Sequence, residues 1–270
     1  MTQADPALHD DGLGKPGGLV SPVGRAFRLL RFVAEGGSTA NLSEVGRLID
    51  VNRVTVMRLL ATLEQEGLLA PLPQGGHRIG LDFLKLAASV VASDDLLGFA
   101  RGVLAQVSTK LQLSAYLAVL DGGDVVYLLR DMPEAGLVSN VKVGSRVPAH
   151  LTTPGRIILA HHTTADIRSW LGPEPLPAAA GRGLGTYAEL EHSLKSDLEH
   201  GHAWSHSGFE AGIDACAAPV FDATGRAVAA ISVAGPDILF ERDASLRART
   251  EAAVKTAALD LSRLTGYRQS

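Results

Sequence analysis

The chain has 270 residues, 46% hydrophobic and 20% charged, with a formal net charge of −4. At about 100–200 residues per domain this makes one large or two smaller domains, and the acidic balance excludes a uniformly basic coat, so any nucleic-acid site must be local. The lone cysteine, Cys216, excludes an intrachain disulfide and a cysteine-rich metal cage, and no apolar run reaches the ~18 residues of a membrane helix.

Residues 1–20, rich in Gly, Pro and Asp and without a charged-then-apolar signal pattern, are expected to be a disordered tail. "SPVGRAFRLLRFVAEGG" then predicts a helix with Ser21 as cap, Pro22 in the first turn and Gly36-Gly37 as its stop. Val23, Ala26, Phe27, Leu30 and Val33 form its expected apolar face. A second helix follows in "NLSEVGRLID", with Ser43 as N-cap and Val45, Leu48 and Ile49 turned inward. A third runs from the cap Asn52 to the stop Gly67. Leu68–Leu72 and His77–Ile79 read as a small hairpin.

Beyond it, "LDFLKLAASVVASDDLLGFARGVLAQVSTKLQLS" is helical in pattern, broken near Asp94-Asp95. "AYLAVLDGGDVVYLLRD" alternates as two strands around Gly-Gly, and "LVSNVKVGSRVPAH" suggests a third. Helices are expected at "TTPGRIILAHH", "ADIRSWLG" and Tyr187–His200. A second hairpin turning at Ala223–Gly225 and a closing helix over Asp243–Leu264 complete an α+β chain whose second part is an antiparallel sheet flanked by helices.

The third helix carries the most information. At 100° per residue Val56, Leu59, Leu60 and Leu63 face a core. The opposite arc mixes Thr55, Arg58 and Thr62 with Val54, Met57 and Ala61. A solvated face accounts for the arginine but not for exposed valine and methionine; a DNA major groove accounts for both, through guanine edges, phosphates and thymine methyls. A short helix, a turn and such a helix make a helix-turn-helix, and the hairpin makes it winged. Ser43, Asn52, Arg53, Val54, Thr55, Met57, Arg58 and Thr62, with His77 and Arg78 on the hairpin, are the candidate contacts to double-stranded DNA. Between Ser21 and Gly80 arginines outnumber acids, so this segment is mildly positive inside an acidic chain. A protein-interaction module, its exposed arc packed on another subunit, is the alternative.

These segments, in this order, resemble the IclR-type bacterial transcriptional regulators. "LSEVGRLIDVNRVTVMRLLATLEQEGLL" resembles that family's helix-turn-helix and "HRIGLDFLKLA" its wing exit and linker helix. "AVLDGGDVVYLLR", "VGSRVPAHLTTPGR" and "CAAPVFDATGRAVAAISVAGP" resemble its effector domain. The resemblance implies a winged helix-turn-helix at 21–81, a linker helix at 82–98 and a GAF-like effector-binding domain at 99–270. It also implies a homodimer or dimer of dimers on a palindromic operator, answering to a small, often carboxylate-bearing organic acid, which Ala215 and Ala234 suggest is a larger or aromatic one. The lone cysteine and the lack of a signal or membrane segment suit the cytoplasm. No nucleophile, base and orienter set points to an enzyme, so no enzymatic activity, cofactor or membrane partner is expected. The chain departs from the family at Val54 and Met57, where serine and histidine are common, and at Leu151 and Arg156. "SHSGFE" replaces an acidic cluster, leaving Glu210, and Ala215 and Ala234 stand where one family pocket has polar groups.

For the effector, "PAHLTTPGR" places Thr152, Thr153, Pro154 and Gly155 at a helix start, where free N–H groups and the positive dipole end favour an anion. The plainer reading is that Thr152 caps the helix. Val147, Ser232, Ala215, Ala234 and the 137–141 strand are expected to supply the remaining wall. His200 and His202, at alternate positions, suit one strand face, but no ligand set completes a metal shell. Cys216 suits inert core better than a redox sensor. A GAF-like metal or redox sensor stays as a second alternative.

Overall fold

A computed structural model of the chain describes residues 21–83, 85, 86, 95–133, 139, 141–177 and 184–268. The expected tail at 1–20 and residues 87–94 of the expected linker helix lie outside them. The chain divides between Val90 and Val91 into two compact units.

In the first unit, helices α1 (Ser21–Ala34), α2 (Leu42–Leu48) and α3 (Arg53–Gln65) are followed by the antiparallel hairpin β1 (Leu69–Pro71) and β2 (His77–Ile79). Leu29, Leu30 and Val33 of α1 meet Val45, Ile49, Val56, Leu60, Leu63 and Leu69 in one buried cluster. This corrects the expected face of α1. Val23 and Phe27 are each 52% exposed, and the buried arc is rotated to include Leu29. In "LLRFV" nearly every position is apolar, so periodicity alone does not choose the arc.

The cap of α2 is likewise corrected. Asn41 is the N-cap, its side-chain oxygen accepting from the Ser43 and Glu44 amides at 3.2 and 3.3 Å, and Ser43 sits inside the helix. Both residue types cap well, and the path of the chain out of α1 decides between them. Asn52 caps α3 as expected, accepting from the Thr55 amide at 2.8 Å. Between α2 and α3, Asp50 takes a left-handed conformation (φ 55°) and the Val51 amide donates back to the Gly46 carbonyl at 2.9 Å. A Cβ on Gly46 would stand 2.6 Å from the Val51 carbonyl oxygen. Only glycine lets the turn fold that tightly.

The second unit begins with α4 (Asp95–Leu111) and the strands β3 (Ser114–Asp121), β4 (Asp124–Asp131) and β5 (Arg146–Pro148). A 3-10 turn, Ala149–Leu151, leads into α5 (Thr153–Leu159), α6 (Thr164–Leu171) and α7 (Tyr187–His200). Then come β6 (Ala203–His206), β7 (Ile213–Phe221), β8 (Ala227–Pro236), α8 (Asp237–Arg242) and α9 (Ala244–Leu264). Among the described residues of "LVSNVKVGSRVPAH", only β5 is a strand: residues 134–138 and 140 lie outside the described set, and Ser139 and Val141 are not in a strand. His200 ends α7 and His202 precedes β6, so the two do not share a strand face.

Among the described residues the sheet is antiparallel in the order β5-β4-β3-β8-β7-β6. Side chains alternate between its faces. Ala115 and Leu117 of β3, Ala229, Ile231 and Val233 of β8 and Ala218 and Val220 of β7 pack with α4 and α9. Tyr116, Ala118, Ala217 and Ala230 point the other way, towards the layer built from α5, α6 and α7. Arg156 of α5 ties that layer together, donating from Nε to Asp197 of α7 at 2.9 Å and from Nη2 to the Trp204 carbonyl of β6 at 2.6 Å. Burial pushes the Asp197 carboxyl above its usual range, against the opposing pull of Arg156.

Gly46→Ala is expected to destabilise the first unit by about 1–3 kcal/mol through this overpacking, with the second unit unchanged. Thermal unfolding followed by hydrogen exchange, which reports each unit separately, checks it.

Candidate functional site

α3 is buried along one arc by Val56, Leu60 and Leu63, and its other arc is open. Val54 and Met57 are 52% and 54% exposed. Arg53, Arg58, Ala61 and Thr62 are exposed beside them, and Thr55 is half-buried. The Thr62 hydroxyl donates to the Arg58 carbonyl at 3.0 Å. Ser43 and Arg47 of α2 are exposed as well. This surface offers guanidinium groups, hydroxyls and apolar tips together.

The hairpin is pinned to this helix. The His77 ring is only 14% exposed, with Nδ1 2.6 Å from the Thr39 hydroxyl and Nε2 against the Glu64 carboxylate near the end of α3. Both ring nitrogens are thus spent inside the unit, and His77 fixes the wing's orientation, whereas Arg78 is exposed.

In the second unit a cavity of about 50 Å³ lies on the sheet face opposite α4 and α9. Thr152, Thr153, Ala215, Ser232 and Ala234 line it. Val147, Pro154 and Gly155 do not; they are buried behind the wall. Thr152 accepts from the Gly155 amide at 3.1 Å, so it caps α5 while also facing the cavity. A Cβ on Gly155 would stand 2.1 Å from the Ala149 carbonyl oxygen, so glycine allows the 3-10 turn and α5 to pack closely. Thr153 and Ser232 approach at 3.4 Å between their hydroxyls.

The cavity also recruits residues that sequence reading passed over. Tyr116 and Tyr127 meet edge to face, their ring centroids 5.6 Å apart. Ser205, Phe209, Glu210 and Ile213 close it from β6 and the segment leading into β7. The alternation of β3 already put Tyr116 opposite Leu117, which is the signal that could have found it. Burial raises the pKa of the Tyr127 phenol well above the usual range, against a smaller pull from its hydrogen bond with Thr152. Burial also raises that of Tyr116, against smaller pulls from the Ser114 and Ser139 hydroxyls, and among the described residues its hydroxyl makes no well-formed hydrogen bond.

Among the described residues no group of three or more His, Cys, Asp or Glu is placed to hold a metal ion. Cys216 is fully buried, and burial pushes its thiol far above the reactive range. No helix among the described residues is long and apolar enough to cross a membrane.

Residues 22–73 match the family model of the IclR helix-turn-helix domain, and residues 88–263 that of the bacterial transcriptional regulator IclR C-terminal domain. The chain is 25% identical over 250 residues to the HTH-type transcriptional regulator XynR of Escherichia coli (strain K12), covering 92% of this chain and 98% of that protein. The crystal structure of an IclR transcriptional regulator from Alicyclobacillus acidocaldarius is similar at a TM-score of 0.79 and 25% identity, over 92% of this chain and 100% of that one. An IclR homologue from Microbacterium hydrocarbonoxydans, solved in complex with 4-hydroxybenzoate, shares the fold at a TM-score of 0.76 and 21% identity, over 90% and 98%.

A buried hydroxyl without a partner costs about 1–3 kcal/mol. Tyr116→Phe is therefore expected to leave the stability of the ligand-free protein unchanged or raise it by up to about 1 kcal/mol. Urea denaturation checks it, and a clear loss of stability would count against the hydroxyl being unpaired.

Proposed function

This chain belongs to the IclR family of bacterial transcriptional regulators, and on that premise we propose that α3 reads an operator while the Tyr116–Ser232 cavity holds the effector. The observation that carries the DNA half is the open arc of α3: Val54 and Met57 lie bare beside Arg53 and Arg58 on a helix whose other side is anchored in a core. In this reading Arg58 and Thr62 reach base edges or phosphates, Thr55 supports them from the half-buried side, and Val54 and Met57 meet thymine methyls. Arg53, Ser43 and Asn52, at the first turns of α3 and α2, face the phosphate backbone. Arg78 extends the contact from the wing, and His77 holds the wing in place.

The protein works as a homodimer or a dimer of dimers on a palindrome, whose half-site spacing its two-fold symmetry sets. The bare Val23 and Phe27 on α1, with Leu81 and Phe83 beyond the wing, support this, because a second copy would take such side chains out of water. The domains divide as 21–81, 82–98 and 99–270, and the site of action is the cytoplasm. The effector is a small organic molecule, and acids are the class that the resemblance implies. Its occupancy changes operator affinity only if it binds the two arrangements of the DNA-binding heads unequally.

A fluorescence-anisotropy titration against the upstream intergenic DNA of its own gene tests this reading. Affinity is expected to fall steeply with salt. Arg58→Ala is expected to weaken binding by about 1–3 kcal/mol, or roughly 5–150-fold, with folding and oligomeric state intact. An unchanged isotherm for that variant would remove α3 from the groove.

A further inference from the structure

We infer that α3 recognises its operator through the C5-methyl groups of two pyrimidines in each half-site, one met by Val54 and one by Met57, while Arg58 supplies the hydrogen bonds. The inference rests on the operator reading above and names what that helix takes: thymine, or cytosine carrying the same methyl.

The ridge of α3 that stands furthest from the core is largely apolar at the end that meets bases. Val56, Leu59, Leu60 and Leu63 pack inward. At about 100° per residue, Val54, Arg58, Ala61 and Gln65 lie within roughly 30° of the opposite direction, and Met57 lies about 70° to one side. All five are exposed, Val54 and Met57 at 52% and 54%. Recognition helices address base edges with their N-terminal residues. Asn52 caps that end of α3, accepting from the Thr55 amide at 2.8 Å. Val54, Met57 and Arg58 are therefore the side chains placed to reach bases, and Gln65 follows about three turns further on.

The other polar groups nearby are poorly placed to read a base. The Thr62 hydroxyl gives its proton to the Arg58 carbonyl at 3.0 Å. Thr55 is half-buried, and Arg53 lies more than about 90° from the ridge, where it suits a phosphate. Hydrogen-bonded readout from this end of α3 falls to Arg58, whose guanidinium fits the O6 and N7 of guanine. One such contact specifies one base pair.

The rest must come from apolar contact. The thymine C5-methyl is the apolar group that the major groove presents. Side chains three apart on a helix have Cβ atoms about 5–6 Å apart, more than the roughly 3.4 Å between successive base pairs. The two methyls thus sit on different base pairs. Cytosine at either place would set its amino group against hydrocarbon and remove the methyl; 5-methylcytosine puts the methyl back.

The test lets the purified full chain select duplexes from a random-sequence DNA pool. The enriched duplex is then resynthesised with deoxyuridine at one thymine at a time, which removes only the methyl. At two positions of a half-site, uracil is expected to weaken binding about fourfold each, the equivalent of about 0.8 kcal/mol per buried apolar carbon. At those positions 5-methylcytosine is expected to bind at least twofold more tightly than cytosine. Val54→Ser is expected to bring the thymine-to-uracil ratio below twofold at one position and Met57→Ser at the other. Both side chains are exposed, so thermal melting is expected to be unchanged. Arg58→Ala is expected to weaken every duplex and leave both ratios intact. An enriched duplex indifferent to uracil at every thymine, or ratios that survive both serine variants, would overturn the inference and leave the operator reading standing. Enrichment of no sequence would overturn the operator reading, and this inference with it.

Discussion

A strand shows successive side chains to opposite faces, and in the second unit both faces of the sheet are covered, so β3 and β8 each serve two interiors at once. Leu117 and Ile231 complete a wholly apolar layer against α4 and α9. Their neighbours Tyr116 and Ser232, paired across the two strands, are thereby pressed into the opposite layer with no water to turn to. The cavity is the consequence. Polar groups fixed by register on a doubly covered sheet must be satisfied by each other or by something that enters, and among the described residues the Tyr116 hydroxyl makes no well-formed hydrogen bond.

Close packing determines how little room remains. Alanines at 215, 217, 230 and 234 keep that face of β7 and β8 low, and Gly155 lets α5 approach the preceding turn. Arg156 then locks α5 to Asp197 and to the Trp204 carbonyl. Such a buried pair adds little net stability, since desolvation offsets its attraction, but it holds geometry because breaking it leaves a charge stranded. The layer over the sheet is thus pinned at its centre and lined with small groups. A cavity of this kind is shaped by its wall, and an occupant that outgrows it must move that wall, which links occupancy to conformation.

The first unit separates its faces in the same way at smaller scale. Its core takes one arc of α3, and two turn devices fix the ends: the left-handed Asp50 with its bond from Val51 to Gly46, and the His77 bridge to Thr39 and Glu64. What remains outward is an arc of mixed chemistry held on a rigid frame, and that frame allows a few side chains to address a groove without each being ordered anew on binding.

Local chemistry wrote much of this into the sequence. Asn52 and Thr152 as caps, the hairpin at Ala223–Gly225 and the helix Tyr187–His200, whose Thr186 and Glu189 form a capping box, are all decided within four or five residues. The apolar and bare arcs of α3 were legible for the same reason, because helix periodicity fixes which residues share a side. Tertiary structure alone decided which arc of α1 is buried, that Asn41 and not Ser43 caps α2, that among the described residues of 137–150 only Arg146–Pro148 form a strand, and that His77 serves the fold. It also brought Tyr116, Phe209 and Glu210 to one cavity from separate segments. Caps and periodicity depend on neighbours along the chain, whereas a cavity's lining and its charge depend on strand register and on which distant groups burial forces together.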